Sequence, residues 1–149
     1  MEIRRTSVLP ASSSTVFALI DDLSRYPAWM DLVHEVTVSG STADGAPAWD
    51  VELRAKVGPL ARSKRLRMVR TAHEPPRRVV FERVEIDGRQ HSPWVLQSVL
   101  EPTGDGAVEL AMTLSYGGSL WSGVVLERVL DDHVERGAEA LAALVSPHP

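Results

Sequence analysis

The chain has 149 residues, 44% hydrophobic and 24% charged, with a formal net charge of −4 and no cysteine. That length supports one core burying more than half of the unfolded surface, and the acidic balance argues against general nucleic-acid binding. Disulfides, thiolate metal sites and a cysteine nucleophile are excluded, and no apolar run approaches the ~18 residues that cross a bilayer.

The first segment, EIRRTSVL, has strand-like composition, and Pro10 ends it because proline cannot donate to a ladder. The N-terminus carries no hydrophobic signal region, the pattern of a cytoplasmic protein. Fourteen arginines against two lysines, with frequent alanine, is the composition of a GC-rich bacterial genome. SSSTVFALIDDL follows, with Ser12 or Ser13 as helix cap and Val16, Leu19, Ile20 and Leu23 at helical spacing. Pro27 fits the first turn of a second short helix over roughly Ser24 to Met30.

A strand-rich stretch comes next. VHEVTVSG alternates. AWDVELRAKV puts Trp49, Val51, Leu53, Ala55 and Val57 on one face and Asp50, Glu52, Arg54 and Lys56 on the other, the period of a half-buried strand. SKRLRMVRTAH is a further strand ended by EPP. RRVVFERVEI ends at DGR, a hairpin signal; SPWVLQSVLEP ends at TGDG; AVELAMTLSY ends at Gly117 and Gly118. From about Leu120 to Val145 the chain reads as one long amphipathic helix, with Leu126, Val129, Leu130, His133, Gly137, Ala140, Leu141 and Leu144 on one side.

This order predicts a single α+β domain over 1–149. It has a curved antiparallel sheet of seven strands wrapped around the long C-terminal helix, with two short helices after strand 1. There is no internal repeat and no linker long enough to divide the chain.

The element order, together with VFALIDDLSRYPAWM, resembles the START/Bet v 1-like (SRPBCC) helix-grip superfamily and its polyketide cyclase/dehydrase-like branch. The signature there is an aromatic-containing helix, then Asp and Leu, then an aromatic-Pro-x-Trp turn. Val16, Phe17, Asp21 or Asp22, Leu23, Tyr26, Pro27 and Trp29 match it. The resemblance implies a cavity between sheet and long helix that binds an apolar small molecule such as a lipid, quinone or polyketide-like compound. Trp29 and Met30 would then be rim or wall, or Trp29 would pack on the long helix. Subunits acting in pairs are common in this group, so a homodimer is compatible with it.

Several residues are candidates for chemistry or ligand contact. His133 lies near the centre of the helix's apolar side, with Gly137 clearing space one turn later. An imidazole there either faces the cavity and handles a proton or is satisfied by a sheet carbonyl or a neighbour such as Asp132. Glu82 shares parity with Val80, Val84 and Ile86, which would turn it inward. The opposite parity puts Val79 and Phe81 inside, followed by Arg83 and Glu85, and leaves Glu82 in solvent. Arg70 shares parity with Leu66 and Met68 and is placed to pair with Glu82 or with a ligand oxygen. Seven basic residues between Arg54 and Arg70 read mainly as a solvated outer face, with docking of an acidic partner as the alternative. Trp49, Trp94, Met112, Tyr116, Trp121 and Val129 complete an apolar lining.

The histidines lack metal-ligand spacing, and no HExxH, GxGxxG, P-loop or GxSxG motif occurs. No metal or cofactor is therefore expected. The leading functional reading is a binding protein for a hydrophobic small molecule. An aromatase/cyclase is the alternative, with His133, Arg70 and Tyr116 as its acid, base or enolate-holding groups. A protein-interaction module using the basic outer strands, as in some chaperone-activating relatives, is the third.

Overall fold

The computed structural model describes residues 2–57, 59–117 and 124–146. β1 (Glu2–Leu9) leads into α1 (Ser13–Ile20) and a 3-10 helix (Leu23–Ala28). Then come β2 (Val33–Ser41), β3 (Pro47–Val57), β4 (Leu60–Glu74), β5 (Arg78–Arg83), β6 (Trp94–Pro102), β7 (Val108–Tyr116) and α2 (Val124–Val145). The strands form one antiparallel sheet in the order β1-β7-β6-β5-β4-β3-β2. β2 to β7 are thus a meander, and β1 closes onto the last strand, Ile3 pairing with Leu114 and Leu9 with Val108. Register shifts in β2 and between Arg70 and Ala72 mark irregularities in the ladder, where strands bend.

Alternation decides which face packs. Trp49, Val51, Leu53 and Ala55 are all buried on β3, and Val108, Leu110, Met112, Leu114 and Tyr116 on β7. α1 begins where Ser12 Oγ accepts the Thr15 amide at 3.2 Å. The Asp22 carboxylate starts the next segment by accepting the Ser24 amide at 2.9 Å. That segment is a 3-10 helix over Leu23–Ala28 rather than a helix reaching Met30: the Trp29 amide closes its last turn on Tyr26 O at 3.0 Å, and the Trp29 backbone, at φ −138°, has already left helical geometry.

Two other expectations change. RRVVFERVEI does not continue as a strand to Ile86: β5 stops at Arg83. The Val84 amide still reaches Arg67 O at 3.0 Å, but the Arg67 amide turns to the Glu85 carboxylate at 3.3 Å, so a side chain ends the ladder. Residues 84–93 then leave the sheet. On α2 the buried stripe is Leu130, His133, Val134, Gly137, Ala138 and Leu141, while Leu144 is half exposed beyond the sheet's cover. A bidentate contact from Arg5 to Asp131, with Nε to Oδ1 at 2.8 Å, fastens α2 to β1.

Candidate functional site

The inner face of the sheet, the 3-10 segment and α2 enclose a space of about 50 Å³ between them. Met30, Leu53, Met68, Trp94, Leu114 and Val134 are among its walls, and every described residue lining it is apolar. A space of this chemistry stays dry when empty. It is also well below the ~300 Å³ at which small-molecule pockets begin. A ligand here has to displace side chains, and Met30 and Met68 are the unbranched, adaptable ones.

The YPAWM segment forms the lid. Tyr26 is fully buried and its hydroxyl donates to Ile20 O at 2.7 Å; burial pushes its phenol above the usual range. The Trp29 ring lies 4.5 Å from that of Tyr26, and its Nε1 donates to Leu19 O at 3.3 Å. Trp29 therefore braces the lid against α1, and Met30 is the residue that enters the space. Gly137 makes room for this, since a Cβ there would come within 2.9 Å of Met30 Sδ and Cε.

The polar candidates stand apart from one another. His133 is 8% exposed, and its Nδ1 lies 2.5 Å from Asp31 Oδ1. Arg136 Nη2 approaches Asp31 Oδ2 at 3.3 Å, so the clasp ties the residue after Met30 to α2. Partial burial pushes the Asp31 carboxyl up, but the hydrogen bond and charge of His133 and the charge of Arg136 outweigh it and hold it below the usual range. His133, with Val129, borders an open groove of about 530 Å³ that also holds Arg54, Lys56 and Asp132. Val134, its neighbour, is the residue of α2 that lines the apolar space among the described residues.

Arg70 faces inward opposite Phe81, yet its Nη1 donates to Asp21 O at 2.9 Å, at the end of α1. Beside it, His73 Nε2 lies 3.1 Å from Asp21 Oδ2, with its ring 5.5 Å from that of Phe17. Glu82 takes the outer parity: it pairs with Val69, whereas Phe81 and Arg83 on either side of it pair with the inward Arg70 and Met68, although Val80, on the same side as Glu82, is also buried. Glu82 is accordingly outside the apolar space. Trp49 packs edge-on against Phe81 at 5.5 Å, and Met112 is core. Trp94 and Tyr116 are cross-strand partners with rings 5.4 Å apart. The Tyr116 phenol is pushed up, first by burial and then by the charge of Glu127. Trp121 lies outside the described residues.

Arg83 is an inward polar residue that the candidates above omit. Its Cα partner is Met68, so both side chains take the same face. Its side chain is only 8% exposed; Nε donates to Glu85 Oε2 at 2.8 Å and Nη1 to Ser92 O at 3.3 Å. Lys64, opposite Leu53, shares this face, and its ammonium is pulled below its usual value by burial and then by the Arg83 charge. The signal in the sequence was parity: Arg83 follows Val79 and Phe81 at spacing two. Asp31 was also missed, and only its position beside the lid pointed to it.

Comparison with solved structures finds the same architecture. A START superfamily protein from Mycobacterium smegmatis has a TM-score of 0.73 at 17% identity, covering 97% of this chain and 96% of that one. A Thermus thermophilus protein gives 0.74 at 18%, covering 97% of both. The Zhui aromatase/cyclase from Streptomyces gives 0.72 at 12%, covering 97% and 93%. At these identities the likeness is one of fold. No curated protein matches the chain. The family model for polyketide cyclase / dehydrase and lipid transport matches residues 1–146, and the chain, with its seven-stranded grip around α2, belongs to that family.

Proposed function

We propose that the protein binds an apolar small molecule between the sheet and α2, with Met30 and Met68 moving aside to admit it. The observation that carries this reading is the wholly apolar lining where lid, sheet and helix meet. Burying a ligand's apolar surface there gains about 25 cal/mol per Å², and the unbranched thioethers of Met30 and Met68 are the lining side chains that repack most readily. The fold and family agree with a binding role.

Organic extraction of the purified protein followed by mass spectrometry tests the reading, alongside titration with an apolar fluorescent probe. A co-purified apolar compound, or saturable probe binding weakened by Val134→Trp, is expected. Absence of both, in a protein that melts cooperatively, rejects it.

A second reading, cyclisation and dehydration of a poly-β-ketone, draws on one observation: Arg83 shares a face with Met68 beside Trp94 and Tyr116. A buried guanidinium is suited to hold a developing enolate oxygen. His133 and Arg70 do not join it, since His133 borders the open groove beside Asp31 and Arg70 reaches the end of α1 at Asp21 O. Incubating a poly-β-ketone with wild type, Arg83→Gln and Tyr116→Phe decides this; identical product distributions remove the reading for that substrate.

A further inference from the structure

β3 and β4 run on past their neighbours. β2 pairs with β3 only as far as Leu53, and β5 leaves β4 at Met68. The pairs Arg54–Ser63, Ala55–Arg62, Lys56–Ala61 and Val57–Leu60 therefore form a two-stranded finger. Between Leu53 and His73 the chain holds seven arginines and lysines and no carboxylate, although the protein's net charge is −4. The charge is thus segregated into this hairpin, and the rest of the molecule carries the acidic excess.

Arg54, Lys56 and Arg62 are exposed and have no ion-pair partner among the described residues; Arg54 Nε only approaches Ser63 Oγ at 3.4 Å. The register puts Arg54 and Lys56 on one face of the ribbon and Arg62, opposite the buried Ala55, on the other. At the tip Leu60 is 59% exposed.

We propose that the β3–β4 finger is a docking element for an anionic lipid surface, with Leu60 entering the interface and Arg54, Lys56 and Arg62 meeting the headgroup anions. An apolar tip ringed by cations on both faces fits a plane met end-on. An acidic protein docked alongside the ribbon would meet one face only. A nucleic acid would gain nothing from Leu60 and would find no aromatic ring to stack on between Leu53 and His73. Docking on a surface needs no crossing segment, and no described helix is long and apolar enough to be one. The inference is independent of the ligand reading, because it concerns the outside of the grip.

Cosedimentation with vesicles of phosphatidylcholine, with and without phosphatidylglycerol, tests it. Binding is expected only to the anionic vesicles and weakens as salt rises. Lys56→Gln and Arg62→Gln each lower vesicle affinity by about fivefold. Leu60→Ser weakens binding while leaving its salt dependence unchanged. Arg128→Gln, an exposed change on α2, has no effect. Circular dichroism confirms that each variant keeps its fold. Equal binding to neutral vesicles, no binding to anionic ones, or an Arg128→Gln effect as large as that of Lys56→Gln overturns the proposal. So does tighter binding to duplex DNA or polyglutamate than to the anionic vesicles.

Discussion

The thioether of Met30 fills the notch that Gly137 leaves on α2. A Cβ at position 137 would stand 2.9 Å from both Sδ and Cε, closer than real side chains come. The obstructing atoms are the far end of a flexible side chain, so Met30 would yield before the helix does. In Gly137→Ala, Met30 swings into the apolar space, and the helix gains about 1 kcal/mol of propensity. Thermal stability should stay within about 1 kcal/mol of wild type, while apolar probe affinity falls. A probe titration unchanged by the substitution would contradict this account of the lid.

Leu114→Ala acts on the same space from the sheet side. It removes wall atoms from a buried position and should cost about 2–5 kcal/mol in urea unfolding. The enlarged space should admit a benzene-sized apolar compound more readily than the wild type does. Destabilisation without any gain in uptake would mean that the wall collapses.

The Asp31 clasp sets a pH dependence. Its carboxyl is held lower in the folded protein than in an unfolded chain. Its contribution is complete above the ordinary carboxylate value of about 3.9 and is lost as pH falls through the lowered folded value. Asp131, held down first by its hydrogen bond from Arg5, adds a second increment of the same sign. Asp31→Asn should be less stable than wild type at neutral pH by no more than about 1 kcal/mol. The gap should close below about pH 4. Urea melts at stepped pH values measure both; a gap that widens in acid would rule out the assignment.

Arg83 and Glu85 are a largely buried pair, 8% and 18% exposed. Arg83→Met alone leaves the Glu85 carboxylate without its cation and should cost about 3–5 kcal/mol. Adding Glu85→Gln should recover much of that loss, and a double-mutant cycle reads the coupling. Additive losses would show that the two side chains act independently.

Much of the fold could be read from residue order because it rests on periods. The two-residue alternation of Trp49, Val51, Leu53 and Ala55 places all four inside. The site was less legible, for two physical reasons. First, a shift of one residue reverses a strand's faces: Glu82 and Arg83 adjoin, and which enters the core depends on where β5 meets Met68. His133 and Val134 pose the same problem on a helix, 100° apart, and both are buried, but toward different surroundings. Second, polar side chains choose partners across long separations. Asp31 lies 102 residues from His133, and Arg70 finds a carbonyl 49 residues away. No local pattern encodes those pairings.

The pairing of β1 with β7 has a consequence for synthesis. Glu2 waits for Ser115 and Leu9 for Val108. At about 5–20 residues per second, the first strand leaves the ribosome roughly 5–20 s before its mate exists. The other six strands can zip in order as neighbouring hairpins, but this one spends that interval as a bare edge. Its Glu2, Arg4 and Arg5 are then the charges that discourage a neighbouring nascent chain from taking β7's place.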